Sequence, residues 1–516
     1  MNIIKAFFQE QYQSFLFPTK MNEIQLHLFV FPAFLSLFLL WSIKRWLYKP
    51  KKANKNSPPS PPKLPILGNI HQLGPLPHQS LQSLAAKYGP LMLLHFGRVP
   101  VLIVSSADAA SEIVKTHDLT FASRPEFKVF KKLVYDGKNI TFSPYGEYWR
   151  KMKSMLVLHL LSTTRVQSFR TIREDETALL VKKIGESSAS SVDLTRMFAE
   201  VTNDVICRSA FGTKYSVLGN GKNLLKLLVE LMELLGTMSV GDFIPWLSWI
   251  DRVSGFDEKL DRVAKEVDDF LEYVIQQRLQ AVKGKDGENF VDVLLELYNE
   301  NADGNSIGRD SVKALVLDAI EGGTDTIATA LEWVMAELLR HPTIMENLQN
   351  EVRETVKEKE DISDDDLQKM HYLKAVIKET LRCHPPTALL APRIAHEDVK
   401  IKGYDILKGT VVMVNVWAIG RDPLCWDDPQ MFKPERFLNH STDPKWSSFG
   451  WIPFGAGRRG CPGMTYGMAM IEFVIANIVH KFNWKLPNGV VLDMTERPGL
   501  ATHKAIPLVA VASKAT

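Results

Sequence analysis

Residues 451–482 read WIPFGAGRRGCPGMTYGMAMIEFVIANIVHKF, in which a glycine-rich loop leads a single cysteine, Cys461, into an apolar helical pattern. Pro462 suits a first helical turn, because its missing N–H would have no helical partner there in any case. The dipole of such a helix favours a thiolate at its N-terminus, so the sequence predicts a low pKa for the Cys461 thiol. Gly457, Gly460 and Gly463 remove side chains where backbone must lie against a flat, bulky partner.

Three other interpretations of this loop can be compared with the sequence. A buried free cysteine is the commonest fate of a lone cysteine, but it would leave the surrounding glycines and the anion-binding fork of Arg459 unexplained. Gly455, Gly457 and Gly460 spell G-x-G-x-x-G, yet Pro453 interrupts the preceding segment and a cysteine-proline pair follows, which does not fit a dinucleotide-binding turn. A zinc site would need a second Cys or His at ligand spacing, and the sequence near Cys461 contains none.

Composition bounds the class of protein. The 516 residues are 45% hydrophobic and 23% charged, as expected of a globular chain with a sizeable core. The formal net charge is only +3 and the basic residues are dispersed. We therefore expect no nucleic-acid partner.

The N-terminal region predicts a membrane anchor. Residues 24–43, IQLHLFVFPAFLSLFLLWSI, approach the ~20 apolar residues that cross a bilayer, and six basic residues follow between 44 and 55. The positive-inside rule keeps that cluster cytosolic and leaves residues 1–23 as a lumenal extension. A cleaved signal peptide is disfavoured, because the apolar run is too long and no small-residue cleavage site follows.

The anchor is followed by a basic and proline-rich hinge at residues 44–69. Its segment SPPSPPKLPILGN, residues 57–69, favours an extended spacer that orients the rest of the chain. A second methionine, Met21, precedes the apolar run by a short distance. We hypothesise that translation naturally starts there rather than at Met1.

The remaining residues, 70–516, are expected to form one catalytic domain that is mainly α with small β-sheets (α+β). Residues 91–106 show two short apolar runs around a turn, which predicts a hairpin. Residues 400–415 repeat this style, with turns at Gly403 and Gly409. In residues 256–275 apolar side chains recur every three or four positions, and residues 310–341 can run as one long helix that ends before Pro342.

The loop pattern F-x-x-G-x-R-x-C-x-G, formed by Phe454, Gly457, Arg459, Cys461 and Gly463, resembles the haem loop of the cytochrome P-450 superfamily. That resemblance implies the cytochrome P-450 fold and a haem b cofactor. It makes Cys461 the axial ligand of the haem iron. Phe454, Arg459 and Gly463 would then belong to the cofactor site.

Further motifs occur in the order that the resemblance implies. Trp149 and Lys153 correspond to the family's W-x-x-x-R, with a lysine that keeps the charge but loses the bidentate fork. Together with Arg393 they would contact the haem propionates, although a core role for Trp149 stays open. Glu379, Arg382 and Arg436 correspond to a buried structural ion-pair network; without the resemblance, a surface ion pair would be the simpler interpretation.

The long helix contains GGTDT, residues 322–326, which resembles the family's oxygen-activation motif. Glycines and β-branched threonines are poor helix formers, so we expect a local opening of the helix. Thr326 and Asp325 would form a general-acid proton relay, the catalytic pair of the site. The alternative is a glycine packing notch with a hydroxyl bonded to its own backbone. Ile327 departs from the Thr or Ser that is common in the family.

The proline hinge, SRP at residues 123–125 and FIPWLSWID at residues 243–251 look most similar to the plant microsomal branch, and to its 71 family in particular. This implies a monooxygenase on the endoplasmic reticulum membrane that uses dioxygen. Electrons would come from NADPH through a separate NADPH–cytochrome P-450 reductase. The substrate would be a small apolar specialised metabolite, such as a terpenoid, an alkaloid or a phenolic or coumarin compound.

The resemblance also suggests positions in the substrate pocket. These are Phe127, Gly322, Gly323, Thr387, Leu390 and Leu500. Two other functions remain open at this stage: a haem-thiolate isomerase or dehydratase that needs no reductase, and a non-catalytic membrane haem or electron-transfer protein. The presence of Asp325 and Thr326 argues against the isomerase.

Overall fold

The computed structural model describes residues 32–41, 56–187, 190–215, 224–280, 289–300, 307–357, 359, 361–438, 449–497 and 499–515. The chain divides into two units, Met1–Lys55 and Asn56–Thr516. The functional residues identified above all lie in the second unit.

In the first unit, residues 32–41 form a helix with exposed apolar side chains. This helix covers half of the predicted anchor at 24–43. The rest of that anchor, the 1–23 extension with Met21, and the basic residues at 44–55 lie outside the described residues. Among the helices that the structure describes, none has both the length and the apolar character needed to cross a membrane.

The second unit is mainly helical, as the sequence predicts. Its helices are α1 (Pro77–Tyr88), α2 (Ala107–Ser111), α3 (Lys128–Leu133), α4 (Glu147–Leu156), α5 (Thr163–Ser168), α6 (Arg170–Glu186), α7 (Leu194–Phe211), α8 (Leu224–Leu235), α9 (Val240–Phe243), α10 (Trp249–Val253), α11 (Phe256–Gln280), α12 (Phe290–Glu300), α13 (Arg309–Arg340), α14 (Pro342–Val356), α15 (Asp364–Lys369), α16 (His371–Cys383), α17 (Val416–Ile419) and α18 (Met464–Lys481).

Short strands form small sheets around this helical body. They are β1 (Leu91–Phe96), β2 (Val99–Val104), β3 (Ser191–Asp193), β4 (Arg393–Ile394), β5 (Val399–Ile401), β6 (Tyr404–Ile406), β7 (Val411–Val414), β8 (Phe482–Lys485), β9 (Glu496–Arg497), β10 (His503–Lys504) and β11 (Val509–Lys514). In the described part of the chain the sheet orders are β1-β2-β7-β4, β3-β11-β8, β5-β6 and β9-β10.

The two predicted sheet segments are confirmed. Strands β1 and β2 pair antiparallel, with Leu93 opposite Leu102, and Gly97 takes a φ of 53° in the turn between them. Strands β5 and β6 form the second hairpin around Gly403, whose φ is 82°. Strand β7 then runs parallel to β2, so the end of the second predicted segment joins the sheet of the first, while β5 and β6 form a sheet of their own.

Helix α13 is the central element of the helical body, and it confirms the long helix that the sequence predicts. It packs against α7 on one side and α18 on another, and Leu315, Leu331 and Trp333 along its length are fully buried. Because α13 is covered on most sides, it is apolar around much of its circumference rather than along one stripe. It ends directly before Pro342, whose ring disfavours helical geometry in the preceding residue.

The sequence predicts an ion-pair network of Glu379, Arg382 and Arg436, and these side chains lie together in the core at α16. The Arg382 guanidinium donates to both carboxylate oxygens of Glu379, at 2.7 and 2.8 Å, and Arg436 donates to Glu379 at 3.0 Å. Arg382 also donates to the backbone carbonyls of Pro429 and Met431. These contacts fix the long loop before the cysteine segment against α16.

Candidate functional site

The cysteine loop has a tightly determined backbone. The Cys461 N–H donates to the Phe454 carbonyl at 2.8 Å, which closes the loop. Gly455 and Gly457 take φ values of 66° and 70°, in the left-handed region that favours glycine. A Cβ on Gly457 would lie 2.1 Å from the Val114 carbonyl oxygen. The turn and the close approach together require glycine at position 457.

The Cys461 thiol faces a cavity, although protein atoms surround it deeply on its other sides. Helix α18 begins only at Met464, with Gly463 as its N-cap, so Pro462 precedes the helix instead of occupying its first turn. Burial raises the pKa of the free thiol, against the low pKa that the sequence predicts. The Gly463 N–H and the Lys153 charge oppose that rise without overcoming it. A bound metal ion deprotonates such a thiol outright, so metal binding does not depend on a low intrinsic pKa.

The cavity lies between the cysteine loop and helix α13. Its described walls include most of the predicted site residues, which the chain brings together from positions more than 300 residues apart. Those residues are Trp149, Lys153, Gly322, Gly323, Thr326, Thr387, Leu390, Arg393, Phe454, Arg459, Cys461 and Gly463. The predicted positions Phe127, Asp325 and Leu500 are not part of these walls.

One end of the cavity carries a concentration of positive charge. Arg124, Arg393, Arg459 and Lys153 all line it. The carboxylate of Asp118 contacts the Arg393 guanidinium at 3.4 Å. The described residues therefore hold more positive than negative charge at this end.

The guanidinium groups are oriented by backbone carbonyls. Arg459 donates to the carbonyls of Ala122, Ile140 and Ser143, at 2.6, 2.9 and 2.5 Å. The Trp149 indole N–H donates to the same Ile140 carbonyl at 2.9 Å, and the Arg459 guanidinium lies 4.4 Å from the centre of the Trp149 ring. In this structure the Trp149 N–H is thus already engaged, while its ring forms part of the cavity wall.

Burial lowers the pKa values of these cations, and for Arg124, Arg459 and Lys153 the neighbouring positive charges add to the effect. Burial, followed by the neighbouring Arg393, lowers the pKa of Arg459 to about 9. Burial lowers the pKa of Arg124 well below its usual value, and the charges of Arg459 and Arg393 add to that effect. The pKa of Lys153 falls as well, because of burial and the proximity of Arg459. An anion in this end of the cavity would relieve the repulsion, so the arrangement suits a ligand with anionic groups at this end.

Helix α13 supplies the opposite wall, and it remains a continuous α-helix through residues 322–326. The local opening predicted from the glycines and threonines is absent from this described segment. The Thr326 hydroxyl donates to the Gly322 carbonyl one turn earlier at 2.6 Å, which satisfies that carbonyl from within the helix. A Cβ on Gly322 would enter open space, whereas one on Gly323 would lie 2.3 Å from Ile206 on α7. Gly323 is therefore a helix-packing notch as well as a wall residue.

Asp325 points to a different surface of α13 from Thr326. Its carboxylate lies 3.2 Å from the Nε2 atom of His503 on strand β10. The His503 Nδ1 atom lies 3.0 Å from the Thr329 hydroxyl, which in turn donates to the Asp325 carbonyl at 2.8 Å. The side chains of the adjacent residues Asp325 and Thr326 thus face two different environments, one at β10 and one in the cavity.

Asp318, two turns before Thr326, fastens α13 to the loop that binds Arg459. Its carboxylate accepts from the Asn139 amide, the Ile140 N–H and the Thr141 hydroxyl, at 3.0, 2.6 and 2.9 Å. Burial raises the pKa of Asp318 to about 7, and these donors limit the rise. Asp318 therefore positions Ile140, the residue whose carbonyl receives both Trp149 and Arg459.

Sequence reasoning missed three residues that the structure places at or beside the site: Arg124, Asp318 and His503. Asp318 was detectable, because positions 318, 322 and 326 share one helical face and the last two were already assigned to the site. Arg124 stands in an S-R-P segment with no periodicity, and His503 belongs to a two-residue strand. Their proximity to the site follows from tertiary packing, which no local pattern encodes.

Comparison with known proteins identifies the class to which this fold and cavity belong. The family model described as Cytochrome P450 matches residues 58–509. Cytochrome P450 71A8 of Mentha piperita is 54% identical over 498 residues, which cover 96% of this chain and 98% of that protein. A protein of Catharanthus roseus named tabersonine/lochnericine 19-hydroxylase is 47% identical and covers 94% of this chain and 97% of its own length. A zebrafish cytochrome P450 structure with abiraterone aligns with a TM-score of 0.72 and 25% identity, over 85% of this chain and 100% of that one.

The chain belongs to the cytochrome P450 family, within its plant 71 group, and is a P450 monooxygenase with haem b as cofactor. The residues present fit that group. A cysteine thiol opens onto one wall of the cavity, glycines leave space beside it, and four cations at one end match the two propionates of a haem. The charge and donor set of this chain therefore agree with the cofactor of its family.

Proposed function

We propose that this chain is an NADPH- and dioxygen-dependent monooxygenase that hydroxylates, or oxidises in a related way, a small apolar plant specialised metabolite. Terpenoids, alkaloids and phenolic or coumarin compounds are the substrate classes considered. The observation that carries the proposal is the cavity itself, where the Cys461 thiol and the Thr326 hydroxyl occupy walls of one space. NADPH–cytochrome P450 reductase is the proposed electron donor, as the resemblance to plant microsomal relatives suggests.

The residues that line the cavity would have different roles in binding the cofactor. Cys461 would ligate the haem iron, and Arg124, Arg393, Arg459 and Lys153 would hold the propionates by charge. When bound, the haem would supply an iron whose thiolate ligand from Cys461 favours cleavage of dioxygen. The backbone approach at Gly457 fixes the loop that presents the thiol.

The distal wall would bind the substrate and handle protons. Gly322 leaves open space in the cavity, and Ile206, Ile327 and Leu390 give it apolar surface that excludes water. The Thr326 hydroxyl would deliver a proton into the cavity, and Asp325 would resupply it, as a general acid does. The relative named tabersonine/lochnericine 19-hydroxylase supports an alkaloid among the substrate classes considered.

The direct test is turnover by the full chain with a plant reductase. Microsomes that contain both proteins are supplied with NADPH, ¹⁸O₂ and a panel of apolar metabolites. We expect one product class to gain a single ¹⁸O atom, with no product when either NADPH or the reductase is withheld. Product formed from a hydroperoxide without reductase would instead identify an isomerase or dehydratase. A haem protein that shows no turnover and has no open ligand site on the iron would identify an electron carrier.

Replacing Thr326 by Ala should uncouple electron use from product formation. The variant loses the hydroxyl that lines the cavity, so more NADPH should end as hydrogen peroxide, and product per NADPH should fall by at least about tenfold. The matched control is Thr324→Ala, which removes a buried hydroxyl that is not part of the described cavity walls. Equal coupling in wild type and Thr326→Ala would remove Thr326 from the relay.

We further propose that residues 24–43 anchor the protein in the endoplasmic reticulum membrane, with the hinge at 44–69 on the cytosolic side. The apolar run and the basic cluster after it support this topology. Carbonate extraction of microsomes should leave the full chain in the membrane pellet. A variant with Asp at two central positions, Leu35 and Leu39, should be released; retention of that variant would contradict anchoring by this segment.

A further inference from the structure

We propose that His503 is the solvent-side proton donor of the site, a positioning residue that reprotonates Asp325 from the side of strand β10. The proposal rests on the relay proposed above and extends it by one group. It requires no movement of heavy atoms, since the contact between His503 and Asp325 exists in the structure at 3.2 Å.

The hydrogen bonds around His503 permit either protonation state of the ring. When the imidazole is neutral, Nε2–H donates to the Asp325 carboxylate, and the Thr329 hydroxyl can rotate to donate to Nδ1. When the ring is an imidazolium, Nδ1–H donates to the Thr329 oxygen, whose hydroxyl then donates to the Asp325 carbonyl. Only one hydroxyl hydrogen changes direction between these two states. The contacts at both ring nitrogens can therefore form in the neutral and in the protonated ring.

The charges around the ring favour the imidazolium. Helix α13 contributes Asp325 and Glu332, strand β9 contributes Arg497, and Lys504 follows on β10 itself. Burial alone would lower the pKa of His503, but the bond to Asp325 and the two carboxylates outweigh it, so the pKa is raised. The ring is therefore protonated more readily than a free histidine, and its Nε2–H faces the Asp325 carboxylate.

Exposure decides the direction of transfer. The His503 side chain is 20% exposed and that of Asp325 is 12% exposed, whereas the neighbouring Thr326 forms part of the cavity wall. Solvent can protonate His503, and the imidazolium Nε2–H can pass its proton to the Asp325 carboxylate to give the neutral acid. Supply of Thr326 by Asp325 is the relay proposed above; the His503 ring, left protonated at Nδ1, regains a proton at Nε2 from water once the acid has lost its own. Each step moves one proton and leaves the electron count unchanged.

The first measurement follows the titration of His503 itself. In the full chain labelled with ¹³C-histidine and held as the diamagnetic ferrous carbon monoxide complex, the His503 ring signal should titrate above the usual pKa of ~6.5. Asp325→Asn should shift that titration downward, because it removes the adjacent carboxylate. An unshifted titration in Asp325→Asn would overturn the pairing, whatever the activity of the enzyme.

The second measurement separates proton transfer from structural support. His503→Gln retains hydrogen-bonding groups but cannot carry a proton, so product per NADPH should fall by about tenfold, with loss of the pH dependence that follows the His503 titration. The control His396→Gln changes a half-exposed histidine next to Glu397, and it should match wild type. Wild-type coupling and pH profile in His503→Gln would overturn the proposal. If Thr326→Ala keeps its coupling while His503→Gln loses it, the Thr326 relay fails but the role of His503 stands.

Discussion

The adjacent glycines at positions 322 and 323 have different structural roles. Gly322 faces open space in the cavity, while Gly323 lets α13 approach Ile206 on α7. The packing notch considered from the sequence applies to Gly323, whereas Gly322 lines the cavity without the local helix opening that the sequence predicts. Within this motif, Gly322 is part of the cavity wall and Gly323 is a helix-packing notch.

Alanine substitutions should separate these two roles. Gly322→Ala should raise the free energy of unfolding by up to ~1 kcal/mol, since alanine is the better helix former and meets no atom there. Gly323→Ala should lower it by about 1–3 kcal/mol, because its Cβ overlaps the Ile206 side chain. Urea denaturation of the holoprotein measures both changes.

The packing explanation has its own control. In an Ile206→Ala background the cost of Gly323→Ala should shrink, as a double-mutant cycle would show. Equal costs in the two backgrounds would mean that Ile206 is not the obstacle.

At the scale of elements, the site depends on how α13 is joined to the loop at residues 139–143. Asp318 accepts three hydrogen bonds from that loop, and the Ile140 carbonyl then receives Trp149 and Arg459. The helix thus positions the cationic end of the cavity as well as its distal wall.

Asp318→Ala should weaken the attachment of the loop at residues 139–143 to α13 and reduce the retention of haem. The loss of a buried, triply bonded carboxylate should lower the free energy of unfolding by about 3 kcal/mol and accelerate transfer of haem to apomyoglobin. The control is Asp310→Ala on the same helix, where Asp310 forms an exposed ion pair with Lys138 at 2.6 Å. That pair should contribute under ~1 kcal/mol. Equal haem loss from the two variants would show that Asp318 does not support the site.

The elements themselves follow closely from the sequence where the pattern is local. The long helix is predicted at 310–341 and found at Arg309–Arg340, and both hairpins form where turn residues separate apolar runs. The start of α18 differs, because the backbone of residues 461–463 follows the tight cysteine loop and only then becomes helical. The pKa of Cys461 differs for a related reason: the thiol lies before the first residue of the helix, and desolvation raises its pKa more than the Gly463 N–H and the Lys153 charge lower it.

Across the whole molecule, residues 124, 318 and 503 illustrate what local patterns omit. They lie up to 379 positions apart in the sequence, and Asp318 belongs to α13, His503 contacts Asp325 of α13, and Arg124 lines the cavity beside it. The family motifs predicted most of the cavity because they mark its two principal walls, the cysteine loop and residues 322–326. The cationic end and the β10 side arise from the way these elements pack together.

The ligation of haem iron by Cys461 is the claim on which the rest depends, and one spectrum tests it. The reduced full chain is exposed to carbon monoxide, alongside Cys461→Ala and the control Cys425→Ala, a cysteine outside the described cavity walls. We predict the red-shifted Soret band of a thiolate-ligated carbon monoxide complex in wild type and Cys425→Ala, and its loss in Cys461→Ala. A thiolate-type band that persists in Cys461→Ala, or is missing from wild type loaded with haem, would contradict the account.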